Sequence, residues 1–411
     1  MGSQRKVPAP PPLPLLLLLL LCTGPAWPDQ AAYSRESSAG TTLISGQGLI
    51  NLGQRWGSKS PLMHTRANLT EVTSIKSSFE FRTLDPEGVV FYGDTRGGAD
   101  WFVLALRGGR PEMQIGKADV LTTVTGGPKL DDGMWHKIEL RSEGRFVVLE
   151  LDGEVALVVG LHSQQTQADL SGQIRLSLGG ILITEQRLLN PLRMEMDGCV
   201  RAGTWLNLST PWETDLSQEL QPCFTWISKG SYFPGTGLAI FNSSDFPVDR
   251  SEVSIEMEGY DVSTWNGTVL SLKTSQGEPV LTVTAYNETE EFTVKFGTQT
   301  STVKMEPFHL DLNLTKHALE VSDGPIMEDD THDWLSMWNE GMVLAFGGVP
   351  DGTDDGSSPY LHGCLRLIRI QGQVVDLDRA TYKHNSVSSH SCPRMRLPGV
   401  HAMPVVGSYM Y

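Results

Sequence analysis

The sequence predicts an all-β protein, built as two antiparallel β-sandwiches of the jelly-roll kind in tandem. Three observations lead there. Apolar and polar residues alternate with period two over many short runs, the pattern of half-buried strands. Glycine-containing turns separate those runs, drawing on 42 glycines in 411 residues. The grammar of the first half recurs in the second, and neither half carries a long amphipathic helical stretch.

Taken in order, the chain starts with Arg5 and Lys6, a leucine-rich run over 15–21 and the small residues Thr23 to Ala26. This reads as a secretory signal over 1–26, shorter than the ~20 apolar residues of a membrane span. Residues 27–60 are rich in Gly, Ser and Gln and read as a loosely ordered arm. At about 150 residues per domain the chain holds two or three units. The expected division is a first sandwich over 61–223, a second over 224–392 and a tail over 393–411.

The most informative stretch is 77–112. Phe79 and Phe81 alternate with Glu80 and Arg82, so a strand is expected. Asp85-Pro86-Glu87-Gly88 turns the chain, proline presetting φ at the second position and glycine suiting the fourth. Val89 to Tyr92 forms the partner strand, a polar loop follows to Asp100, and Trp101 to Leu106 is apolar on both faces. Gly108-Gly109 closes the next hairpin. Further strands are expected over 111–115, 135–140, 146–151 and 174–178, with Asp152-Gly153 as a tight turn. In the second half Ile255 and Met257 alternate like Phe79 and Phe81, Asn266-Gly267 reads as a hairpin turn, and strands follow over 280–286 and 291–296. His362-Gly363-Cys364 parallels Asp197-Gly198-Cys199.

Composition narrows the function. Lys and Arg total 32 against 48 Asp and Glu, a net charge of −16, which disfavours nucleic acid and anionic membrane as partners. Beyond Cys22 in the signal, four cysteines remain, and four allow three pairings. The short-loop set Cys199–Cys223 and Cys364–Cys392 is expected, because each would close the end of one sandwich; no C-x₂-C spacing suggests zinc. Six N-x-S/T sequons, at Asn68, Asn207, Asn242, Asn266, Asn287 and Asn313, mark surface positions for sugar in a secreted chain.

Three blocks then stand out together: Ser77-Ser78-Phe79-Glu80 with DPEGVVFYGDT, Asp100-Trp101-Phe102, and Leu130-Asp131-Asp132-Gly133 with Trp135-His136. These blocks resemble a tandem pair of laminin G-like domains, and within that family the steroid-carrying globulins. The resemblance covers residues from about 65 to 392. It implies a steroid between the two sheets of the first domain, Ser77 meeting the oxygen at one end and Asp100 the hydroxyl at the other. Phe102, Ile115, Leu140, Val147, Ile174 and Leu176 would be the walls. Where the family has an asparagine beside that aspartate, this chain has Lys117. An ammonium only donates, so Lys117 is expected to admit a 17-ketone as well as a 17-hydroxyl.

The resemblance further implies structural calcium at Asp85, Glu87 and the carbonyl of Glu195, and no catalytic cofactor. It implies a homodimer in blood plasma that carries ligands of the testosterone, dihydrotestosterone, androstenedione or estradiol class. The residues argue against two other classes. A jelly-roll glycosidase would set two carboxylates across a cleft, whereas Asp85/Glu87 and Asp94/Asp100 fall on turns and loops, and no H-E-x-x-H or G-x-S-x-G motif occurs. An adhesion module for acidic glycans would need a basic patch, which this acidic chain does not offer.

Overall fold

The computed structural model describes residues 49–394, apart from 54–55, 58–59, 69–75, 118–119, 144–145, 161–171, 205–211, 213–222, 249–250, 261, 305–308, 323, 351 and 353–358. The signal, the arm up to residue 48, Asn207 and the tail beyond 394 lie outside the described residues.

In chain order the first half forms β1 (Ile50–Asn51), β2 (Met63–Asn68), β3 (Lys76–Thr83), β4 (Gly88–Thr95), β5 (Asp100–Arg107) and β6 (Arg110–Lys117). There follow β7 (Val120–Thr125), β8 (His136–Glu143), β9 (Phe146–Leu151), β10 (Glu154–Gly160), β11 (Gln173–Leu178) and β12 (Gly198–Thr204). The second half adds β13 (Ile227–Lys229), β14 (Ser231–Pro234), β15 (Ala239–Asn242), β16 (Glu252–Tyr260), β17 (Gly267–Lys273), β18 (Pro279–Tyr286), β19 (Glu291–Phe296) and β20 (Gln299–Lys304). It continues with β21 (His309–Thr315), β22 (Ala318–Val321), β23 (Ile326–Glu328), α1 (Trp334–Gly341), β24 (Val343–Phe346), β25 (His362–Ile370), β26 (Gln373–Val374), β27 (Tyr382–Lys383) and β28 (Ser391–Pro393).

One sheet of the first half runs β1-β12-β3-β8-β9-β10 and the other β2-β11-β4-β5-β6-β7, every pair antiparallel. The second half repeats the plan, β14-β25-β16-β21-β22-β23 against β20-β19-β18-β17-β24-β15-β27, with β27 added at one edge and β26 paired to β25. Between the sheets of each half lies an apolar core. Phe79, Phe81, Phe91 and Phe102 anchor the first, and Trp265, Phe292, Phe346 and Trp338 the second. A smaller cluster around Tyr92, Trp101 and Ile181 covers the outer face of β4 and β5.

Four details depart from the sequence reading. The supposed arm is structured at its end: β1 pairs with β12, the Trp56 N–H donates to Asn385 Oδ1 at 3.0 Å, and Trp56 packs against the second core. β4 continues through Gly93 to Thr95, so the loop before Asp100 is shorter than expected. Asn266-Gly267 is not a hairpin turn. Gly267 opens β17 at φ 99°, and a Cβ there would run into the Tyr360 carbonyl, a packing demand that looks like turn chemistry in sequence. A short helix also exists: Asp333 caps α1, accepting from the Ser336 N–H, and Trp334 and Trp338 bury one face four residues apart. At eight residues it carries too few turns to show a helical period.

Disulfides join Cys199 to Cys223 and Cys364 to Cys392, with Cα separations of 6.1 and 6.0 Å. Asn68, Asn242, Asn266 and Asn287 are exposed, while Asn313 is half-buried within β21. No helix among the described residues is long and apolar enough to cross a membrane.

Candidate functional site

Strand parity sets the first feature. On β3, Ser77 shares the inward face with Phe79 and Phe81, while Ser78 and Glu80 face out. Its neighbour across the ladder is Leu140 of β8, itself fully buried. Ser77 is 1% exposed, and its Oγ has no hydrogen-bond partner among the described residues. A buried hydroxyl left unsatisfied costs about 1–3 kcal/mol, so its presence on an apolar face calls for a reason.

The facing sheet supplies the rest. Phe102, Leu104 and Leu106 of β5 belong to the core, and Trp101, Val103 and Ala105 to the outer cluster; the same parity turns Asp100 inward. Met113 and Ile115 likewise place Lys117 on the inward face of β6. The register pairs Trp101 with Gly116, so Asp100 and Lys117 stand side by side one step further along. Asp100 is buried and Lys117 half-buried. Ile174 and Leu176 come from β11, and Val147 from β9. A Cβ on Gly93 would strike both Phe102 and Leu176, so that glycine lets the two close over β4. Ser77, Leu140 and Val147 thus lie on one inner face, and Asp100, Phe102, Ile115, Lys117, Ile174 and Leu176 on the other. Sheets pack about 10 Å apart, a gap that a flat apolar molecule can share with side chains.

A second feature sits at the turn between β3 and β4. Asp85 is fully buried; its Oδ1 accepts from the Glu87 N–H at 3.0 Å and its Oδ2 from the Asp197 N–H at 2.9 Å. Gly88, at φ 146°, lies against the carbonyl of Glu195, which brings that oxygen to the same turn. The Glu87 carboxylate instead accepts from the Gly108 N–H at 2.7 Å. The second half reaches in with Asp378 and His390, whose donor atoms and those of Asp85 all lie within 4.8 Å of one another. Both were missed in the sequence, because only the tertiary fold brings them to Asp85.

Electrostatics at this turn follow from burial and pairing. Burial pushes the Asp85 carboxyl up to about 7, with His390 pulling the other way. Burial would lower His390, but Asp85 and Asp378 outweigh it and raise the imidazole to about 9. Burial would raise Asp378, yet Lys383 Nζ at 3.0 Å and His390 hold it below the usual carboxylate range. The Asp85 carboxylate, the Asp378 carboxylate and the Glu195 carbonyl are hard oxygen donors of the type calcium takes. Asp378 is already paired with Lys383 and His390, whose positive charge opposes a cation there, so Asp85 and the Glu195 carbonyl are the donors left for such an ion.

Comparison with known proteins agrees with the architecture. The laminin G domain family matches residues 81–209. Over 347 residues the chain is 32% identical to sex hormone-binding globulin of Crocuta crocuta, covering 82% of this chain and 87% of that one. This chain belongs to the sex hormone-binding globulin family. The Homo sapiens member is 31% identical, covering 82% of this chain and 85% of its own. Mouse growth arrest-specific protein 6 is 28% identical over 85% of this chain but 56% of its own length. Among solved structures, the LG4-5 domains of the mouse laminin alpha1 chain superpose with a TM-score of 0.61 at 19% identity, covering 88% of this chain and all of that one. That likeness concerns the fold.

Proposed function

We propose that this protein is a secreted plasma carrier that holds a sex steroid between the two sheets of its first half. It is a binding protein and not an enzyme. The observation that carries the reading is the Ser77 hydroxyl, buried on an apolar inner face with no partner. A steroid offers what the gap asks for: a rigid apolar slab with an oxygen at each end. Ser77 donates to a ketone, and Asp100 accepts from a hydroxyl at the far end. Burying about 400 Å² of apolar surface is worth on the order of 10 kcal/mol before association costs, so few polar contacts are needed beyond those that fix orientation. The family's steroid-named members support the ligand class.

Lys117, beside Asp100, adds a donor at the end where the carboxylate only accepts. Ketones and hydroxyls at that end are both accommodated in this reading. Calcium at Asp85 and the Glu195 carbonyl, with Glu87 nearby, braces the turn between β3 and β4 and takes no part in ligand chemistry. Two copies of the first half form a homodimer. The direct test is equilibrium binding of labelled dihydrotestosterone to the full chain. Saturable binding with ligand recovered unaltered supports the carrier; no saturable binding of any androgen or estrogen overturns it.

A further inference from the structure

A different site lies on the outer face of the first half, where the link to the second half crosses it. Arg82 of β3 points away from the core, in register with Cys199 of β12, which in turn pairs with Asn51 of β1. Its side chain is nevertheless 5% exposed. Phe224 and Thr225 lie over it, and their carbonyls accept from its two terminal nitrogens, the Thr225 bond at 2.9 Å. The Trp135 ring covers the guanidinium at 4.7 Å. Arg82 Nε is buried with no hydrogen-bond partner among the described residues.

The charge balance around it is unusual. Arg82 meets carbonyl dipoles and a π-face, and no carboxylate pairs with it among the described residues. The charge that acts on it is that of Arg201, which stacks on the same Trp135 at 4.2 Å and is itself bonded to Glu80 at 2.9 Å. Burial and this like charge both disfavour the cation. Buried charges in proteins are paired or neutralised, because leaving one bare is costly.

Beside the guanidinium is a small recess of about 30 Å³, partly open to solvent and walled by Arg82, the Cys199–Cys223 disulfide, Phe224, Ser388 and Ser391. Asp197 also borders it, with its Oδ2 accepting from Ser388 Oγ at 2.5 Å and the His390 N–H at 2.8 Å. The volume holds one or two waters, or one monatomic anion. Water would also solvate the Nε–H, and the bromide soak below separates the two occupants.

The geometry points to a halide site, filled by chloride, in which Arg82 Nε–H is a donor and both halves of the chain supply the walls. Chloride bound there would stabilise the junction, because Arg82 and Cys199 come from the first half and Ser388 and Ser391 from the last segment of the second. The site is separate from the steroid gap and from the Asp85 turn, and stands or falls without either.

The test uses the full chain. Crystals soaked in sodium bromide should show an anomalous peak within hydrogen-bond distance of Arg82 Nε; water density with no anomalous signal overturns the site. In solution, exchanging sodium gluconate for sodium chloride at constant ionic strength should raise Tm by about 2 °C in the native chain and not in Arg82→Met. An equal rise in both overturns it. Should Arg82→Met not fold, the bromide soak on the native protein decides alone.

Discussion

The two halves lay the same strand in the same place and put different side chains on it. β3 and β16 each sit third in their sheets, between matching neighbours. Phe79 and Phe81 correspond to Ile255 and Met257, all buried, and one pleat earlier Ser77 corresponds to Val253. Across the gap, the β4–β5 and β17–β18 registers align Asp100 with the neighbourhood of Pro279. One core therefore carries a buried hydroxyl where the other has an isopropyl group, and a buried carboxylate at its edge where the other half has an exposed proline. The second half shows what this sandwich looks like when it is only a sandwich. The first has given up stability at those points, as expected where a ligand completes the packing.

The sharpest way to break the comparison is to make the halves alike. Ser77→Val should weaken dihydrotestosterone binding in the full chain at least ~30-fold, since it removes the donor and fills its space. Its Tm should hold or rise, because a buried orphan hydroxyl is gone. The reciprocal Val253→Ser should cost about 2 kcal/mol in chemical denaturation and create no second steroid site. If Ser77→Val binds normally, the inner face of β3 is not where ligand sits.

Next in size is calcium. The Asp-Pro-Glu-Gly turn has no counterpart between β16 and β17, so chelation should loosen the first half selectively. With calcium at ~100 times its dissociation constant, chelation removes about 2.7 kcal/mol, seen as a lower Tm. Asp85→Asn should abolish that dependence. Faster amide exchange spread evenly over both halves would argue against a brace at this turn.

A smaller effect separates the two ends of the steroid gap. Lys117→Asn should shift the ratio of testosterone to androstenedione affinity about 3- to 10-fold toward the hydroxyl, leaving dihydrotestosterone binding nearly intact. An unchanged ratio, measured by competition, removes Lys117 from the site.

The smallest effect concerns pH. His136 is clasped by Asp152 Oδ2 at 2.8 Å and Asp132 Oδ1 at 3.1 Å, and the corresponding position on β21 is Leu310. Burial would lower the imidazole, but the two hydrogen bonds more than offset it and raise its pKa above the ordinary value. A raised folded-state value gives stability that is fully present below about 6.5 and lost as pH climbs through the folded pKa. The clasp should contribute under about 1 kcal/mol. Denaturation of the native chain and His136→Gln at pH 6 and pH 9 should show a difference that shrinks at the higher pH.

How much of this was legible beforehand depended on whether a signal was local. The inward alternation of Phe79 and Phe81 already implied that Ser77 would share their face, because strand parity needs only neighbours. Trp56 and α1 were hidden for the converse reason. A tryptophan in a Gly/Ser-rich arm finds its partner only when the second core exists, and eight residues are too few to reveal a period. Gly267 misled because glycine signals a turn and a close carbonyl contact equally.

By itself the sequence determined the strands, their faces, the tandem repeat and the resemblance that named a ligand class, since period-two alternation and turn chemistry act over a few residues. Only the tertiary structure decided that Ser77 Oγ is left without a partner, that Asp378 and His390 close on Asp85, and that Arg82 is roofed by Phe224 and Thr225. Each of these is a meeting of groups far apart in the chain, and what a buried polar group costs or gains depends on the neighbours that folding brings to it.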